Sequence, residues 1–183
     1  MELTAEVIKQ YHLDILKCAT LEEKQNMFLS QVRNNKDFAI LQHRKMWIWI
    51  AQQYAKGSKV EVRILKKQYI KEKCFNVYMH SNCFCCEYAS YEMGLCKCVC
   101  CPLSWVDEFC LNTDSSEYNL ILDCYFNYAE MSHDISKYLA SNNFILNKYY
   151  AMLRKETKLK HKVVKLAYKI SQLPERKERS NED

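Results

Sequence analysis

The stretch His80-Ser-Asn-Cys83-Phe-Cys85-Cys86-Glu-Tyr88, taken with Cys96-Lys-Cys98-Val-Cys100-Cys101-Pro-Leu-Ser-Trp105, decides how the chain is read. It contains two C-x-x-C pairs, Cys83/Cys86 and Cys98/Cys101, with eleven residues between them. A tight turn between two cysteines lets both thiolates point at one ion, and a second such turn completes a tetrahedron of sulfur. The spacing predicts a structural zinc ion held by Cys83, Cys86, Cys98 and Cys101. His80, Cys85, Cys96, Cys100 and Cys110 are close enough in sequence to substitute, and a two-zinc cluster using most of these groups is the alternative. Cysteine can also act as a small buried hydrophobe. Nine of the eleven cysteines fall between Cys74 and Cys110, however, which is more than packing alone explains. The odd total cannot pair completely, and with no export signal a reducing compartment and metal ligation are favoured over disulfides.

Outward from this hub the pattern is helical. Two glycines and two prolines in 183 residues leave little turn chemistry for a barrel or sandwich of short strands. Val7, Ile8, Tyr11, Ile15 and Cys18 are spaced for a first amphipathic helix, and Thr20 with Glu23 has the spacing of a capping box that starts a second. A third spans 37–56, with Gly57 as its stop. Trp47 and Trp49, two apart, cannot share its buried face. Residues 59–74 mix a β-branched start with a charged continuation and are read as helix. Residues 76–110 show no helical period. Asp114, Ser115 and Ser116 offer N-caps to an aromatic helix carrying Tyr118, Ile121, Tyr125 and Tyr128, with a break at 141–143. A final pair of helical segments covers 143–173 and stops before Pro174. The fold class is therefore mainly α: a helical N-terminal lobe (1–73), a small irregular Cys-rich zinc-knuckle module (74–112), a C-terminal helical hairpin (113–174) and a polar, frayed tail (175–183).

Several chemistries lose ground here. Four thiolates close a zinc coordination sphere, whereas a hydrolytic zinc keeps a position for water. The H-x-E and P-C-x-x-C elements of zinc deaminases are missing, as are H-E-x-x-H and the glycine-rich phosphate loops. No histidine lies between Cys86 and Cys98, and His12, His43, His133 and His161 are scattered, each read as a surface or packing residue. No window approaches a membrane span, and the N-terminus lacks a signal sequence, which predicts a soluble, unexported protein with no membrane partner. The chain is expected not to be an enzyme.

The formal charge of +5 is unevenly spread: ten Lys/Arg against three Asp/Glu between Arg154 and Arg179 leave the rest of the chain at about −2. Lys158, Lys162, Lys165 and Lys169 follow i, i+4, i+7, i+11, one helical face, beside an apolar stripe of Leu159, Val163, Leu166, Ile170 and Leu173. Such a helix can pack on its own protein and present its charges to phosphate, or it can be a plain solvated face. The tyrosines at 118, 125, 128, 138, 149 and 150 are read as core first and as a protein-binding surface second.

Four blocks carry a resemblance: H-R-K-M-W-x-W-I-A (His43 to Ala51), N-C-F-C-C-E-Y-A (Asn82 to Ala89), C-x-x-C-P-L-x-W (Cys98 to Trp105) and A-x-x-I-x-x-L-P-E-R (Ala167 to Arg176). In this order they resemble small zinc-knuckle proteins of unassigned function from bacteriophages and prophages of Gram-positive bacteria. The resemblance covers about residues 43–176. It implies a metal knuckle joined to helices, with zinc on Cys83, Cys86, Cys98 and Cys101; Cys85, Cys96 and Cys100 are additions to the pattern. It also implies a protein of the bacterial host cytoplasm. The leading expectation is a non-enzymatic binding protein, stapled by structural zinc, that docks on a host protein or nucleoprotein effector as an inhibitor of host defence of the anti-CRISPR type. A positive charge argues against a DNA mimic. The alternative is a zinc-stapled nucleic-acid-binding regulator using Lys158, Lys162, Lys165 and Lys169.

Overall fold

A computed structural model describes residues 10, 13–79, 82–93, 101–105, 116–141 and 145–176. The described part of the first helix, α1, covers 13–17. There follow α2 (Leu21–Asn34), α3 (Lys36–Ala55), α4 (Val62–Lys73), α5 (Phe84–Met93), α6 (Glu117–Leu139) and α7 (Leu146–Ser171). Among the described residues extended pairing is confined to one antiparallel bridge, Leu103 with Glu175. The mainly helical class holds.

Local chemistry sets the helix limits. The Thr20 hydroxyl accepts from the Glu23 amide at 3.1 Å while the Glu23 carboxylate accepts from the Thr20 and Ala19 amides, so α2 starts with its free N–H groups satisfied. Those same bonds hold the Glu23 carboxyl below its usual pKa. Gly57, at φ 92°, ends α3: its amide reaches the Tyr54 carbonyl and the Ser58 amide reaches Gln53, the paired bonds of a Schellman motif. A side chain at that φ would be strained, so glycine is the residue that fits. Ser116 caps α6 by accepting from the Asn119 amide; Asp114 and Ser115 lie outside the described residues.

The central element is α3. Ten of its 20 residues are buried, and they cover a face much broader than one stripe, as expected of a helix with neighbours on several sides; Lys45, Ile48 and Gln52 mark the side left to solvent. Trp47 is fully buried. Trp49, on another face, is half-buried and packs edge-on against Tyr69 of α4 at 5.7 Å. α2 joins through the Phe28–Phe38 ring pair and α5 through Phe28–Phe84. A largely buried ion pair fastens α2 to α5: the Arg33 guanidinium donates twice to Glu87 Oε1, at 2.8 and 3.0 Å.

α6 and α7 form the hairpin expected of the C-terminal region. Ser132 meets Glu156, and Lys148 lies 4.9 Å above the Tyr138 ring, a register that runs antiparallel. Residues 146–171 form one continuous helix rather than the pair of segments that the sequence suggests. α7 lays Val163, Ala167 and Ile170 into the core shared with α3.

One expectation needs correction. The Cys-rich middle is not irregular throughout, because α5 occupies Phe84–Met93. The Glu87 amide reaches the Cys83 carbonyl at 3.0 Å, so the helical ladder begins at Cys83. Cys85 and Ala89, one turn apart, are both fully buried beside Phe84. The thiol of Cys85 acts here as an apolar packing group, and that is what gives α5 its inner face.

Candidate metal centre

Three parts of the chain meet near Cys83. The first C-x-x-C lies across the start of α5, with Cys83 just before the helix and Cys86 in its first turn. Their side chains hydrogen-bond to each other, and that bond together with burial pushes the Cys83 thiol up to about 12. The second contribution is His43, on the inner face of α3 and only 1% exposed. Its Nδ1 lies 3.6 Å from Cys83 Sγ, and its Nε2 is buried without a hydrogen-bond partner. The third is segment 101–105, where burial raises the Cys101 thiol and the Cys83 sulfur adds to the effect.

Segment 101–105 is held by the far end of the chain. The Ser104 amide donates to the Pro174 carbonyl at 2.9 Å and the Arg176 amide to the Pro102 carbonyl at 2.8 Å, on either side of the Leu103–Glu175 bridge. Arg44 of α3 reaches both the Leu173 carbonyl (3.4 Å) and Glu175 (3.7 Å). Glu175 and Arg176, assigned to a frayed tail, are thus paired. Trp105 completes the junction, its ring edge-on to His43 at 6.4 Å. Its buried indole N–H makes no well-formed hydrogen bond, although it lies near enough to Cys101 to favour the thiolate there.

The fit to zinc can be tested on the one donor–donor distance here. With Zn–S near 2.3 Å and Zn–N near 2.0–2.1 Å, a tetrahedral shell has an N–S edge of roughly 3.6 Å. The His43–Cys83 separation equals that edge. Thiolate and imidazole are donors zinc accepts. Among the described residues, however, no three His, Cys, Asp or Glu side chains are placed to hold an ion together. A full shell calls on further donors, and Cys98, Cys96, Cys100, Cys110 and His80 all lie outside the described residues. Cys85, a named substitute, turns its thiol toward the Ala39 carbonyl at 4.0 Å.

His43 is a buried packing residue, one of the two readings the sequence allows, and its contact with Cys83 is hidden there because 40 residues separate the two. Its signal is its place on the inner face of a helix, one turn before Trp47, where a histidine needs a partner for each ring nitrogen.

On α7, Lys158, Lys162, Lys165 and Lys169 are all exposed, while Val163, Ile170 and Leu173 of the adjoining stripe are buried. No described helix is long and apolar enough to cross a membrane. No family model matches the chain, and neither a curated protein nor a solved structure does.

Proposed function

We propose that this chain is a non-enzymatic binding protein whose helical core is stapled by structural zinc at the His43–Cys83–Cys86–Cys101 junction, and which docks on a host protein or nucleoprotein. The observation that carries it is the approach of His43 Nδ1 to Cys83 Sγ, itself bonded to Cys86, at the point where α3 meets the start of α5; Cys101 lies on the neighbouring segment, and closing a shell requires donors beyond these. Cys98 supplies the remaining thiolate in the arrangement first expected from the C-x-x-C spacing, and His43 is its rival for the fourth position. A closed shell of such donors holds structure rather than activating water. The four sequence blocks that carry the phage-protein resemblance all contribute to this junction, which is why inhibition of host defence, of the anti-CRISPR type, is kept as the setting.

Native mass spectrometry of the protein, co-expressed with candidate effectors and nucleic acids, reads metal count and partner together. One zinc and a retained protein or nucleoprotein complex support the proposal; an intact fold with no metal overturns it. The second reading, direct binding of nucleic acid, is favoured by the alignment of four exposed lysines on α7. In that case, neutralising them would lower the slope of log K against log salt for naked duplex by about 3–4.

A further inference from the structure

Beside the junction, on its α4 side, lies a cavity of about 350 Å³ lined by His43, Trp47, Asn82, Cys83, Cys86 and Trp105, by Tyr118, and by three cations of α4. A zinc ion would fill little of it. At about 30 Å³ per water the space equals roughly twelve waters, the lower end of the range that holds small organic ligands.

Its polar groups are unusual. Lys66 is only 7% exposed, yet no carboxylate among the described residues pairs with it. Its ammonium stands over two rings instead, 4.9 Å from the centre of Trp47 and 4.2 Å from that of Tyr118. Cation–π contact offsets part of the desolvation, but an ammonium has three N–H groups to satisfy. Arg63 and Lys67 add two further charges from the same helix; Arg63 has a loose contact with Glu61 at 3.6 Å and is otherwise well exposed. Four buried side-chain nitrogens in the described structure lack a hydrogen-bond partner, and three of them, His43 Nε2, Trp47 Nε1 and Trp105 Nε1, belong to residues that line this cavity. Two are obligate donors, because indole N–H cannot accept. Leaving such a donor buried and unmade costs on the order of 1–3 kcal/mol. Those nitrogens are sealed from the cavity space, and that of Trp105 lies beside Cys101, so recognition falls to the three cations, which suit an acceptor-rich anion, and to the aromatic walls, which suit a flat apolar body.

We propose that this cavity binds a nucleoside monophosphate, with the phosphate at Lys66, Arg63 and Lys67 and the base among the tryptophan and tyrosine rings. The ligand is either a free nucleotide or the 5′-terminal residue of a strand, which share this chemistry. His43, Cys83 and Cys86 line the same cavity, but the phosphate end of the site is built on α4, which carries none of the metal donors, so that end does not rest on the zinc reading.

Tryptophan fluorescence provides the readout, because Trp47 and Trp105 line the cavity. The full-length protein as purified is titrated with AMP, inorganic phosphate, adenosine and a 5′-phosphorylated single-stranded decamer. AMP is expected to bind at least about tenfold more tightly than either phosphate or adenosine, since each carries only half of the recognised chemistry. Lys66→Met, which keeps the apolar stem, is expected to weaken AMP by about tenfold or more, and Arg63→Ala by a few-fold. Arg63 is exposed, so that variant reports on binding even if Lys66→Met folds poorly. Equal affinity for AMP and the decamer assigns the site to free nucleotide; a decamer bound about tenfold more tightly assigns it to a strand end. No binding of AMP or decamer up to about 1 mM, adenosine or phosphate binding as well as AMP, or AMP binding unchanged in both variants overturns the proposal. So does a Lys66→Met protein that loses zinc and leaves AMP affinity untouched, since the cation would then serve the thiolates.

Discussion

The α6–α7 hairpin and the junction around His43 hold themselves together in opposite ways. The hairpin is made of neighbours in sequence: α7 runs back along α6 while its buried stripe reaches the core with α3, the turn is tied by Tyr138 and Ile145, and the outer surface mixes lysines with exposed Phe126, Leu139 and Tyr150. The junction is made of strangers, with side chains drawn from α3, α5, 101–105 and 173–176, and its buried ring nitrogens are left without partners. One region is complete with the twenty amino acids. The other gathers buried nitrogens for which the described residues supply no hydrogen-bond partner.

The largest effect should separate the two directly. Removing metal with a strong chelator is expected to strip hydrogen-exchange protection from α5 and 101–105 while α6 and α7 keep theirs, because structural zinc supplies on the order of 10 kcal/mol in small fingers and less where a helical core exists. Uniform loss of protection, or none, would erase the contrast. Cys83→Ser and Cys98→Ser should each reproduce it. His43→Ala should lower zinc affinity by at least about tenfold if the imidazole is a ligand or its close support. Full zinc stoichiometry and unchanged melting in Cys98→Ser would instead place His43 in the fourth position.

Next comes Arg33→Ala, which removes two charge-assisted bonds to the buried Glu87 and is expected to cost about 2–3 kcal/mol in denaturant unfolding. A cost below about 1 kcal/mol would mean that α5 is held by its apolar face alone. Thr20→Ala, at the start of α2 and outside both regions, should cost about 1 kcal/mol. The smallest change in stability is predicted for replacing Lys158, Lys162, Lys165 and Lys169 together with Gln: within about 0.5 kcal/mol, since each is exposed. Its effect belongs to partner binding and to salt dependence.

Acidity gives a further contrast. The bond with Cys86 and burial hold the Cys83 thiol near 12, and burial raises Cys101, so in the metal-free chain both are protonated at neutral pH. A zinc ion bound at these thiols would have to displace those protons. Its apparent affinity is therefore expected to climb with pH between 6 and 8, by roughly tenfold per pH unit for each proton released. A flat profile by competition with a chromophoric chelator would exclude thiol ligation. The hairpin carries no such dependence on metal.

The same division separates what the sequence discloses from what it hides. Local signals were legible: the Thr20–Glu23 box, the stop at Gly57, the single buried tryptophan of the Trp47/Trp49 pair, and the α7 stripe beside its lysines, each a matter of residues within a turn or two. α5 was hidden because Cys85 and Cys86 look like ligands, and once Cys85 is counted as apolar its i, i+4 relation to Ala89 becomes visible. His43 and Lys66 were hidden for a different reason. A histidine is recruited by a cysteine 40 positions away, and a lysine on a charged-looking helix is turned inward by rings from α3 and α6. Spacing rules describe one segment at a time, and these two residues owe their surroundings to three.

The backbone bridge between Leu103 and Glu175 joins parts of the chain that a ribosome delivers far apart in time. Domains tend to form as they emerge from synthesis, yet the partner of segment 101–105 is the last described stretch to be made. A chain shortened by a premature stop after α7 would carry every cysteine and every helix and still lack the strand that holds Cys101 in place. Loss of residues 173–176 alone is therefore expected to loosen segment 101–105 while α6 and α7 stay packed.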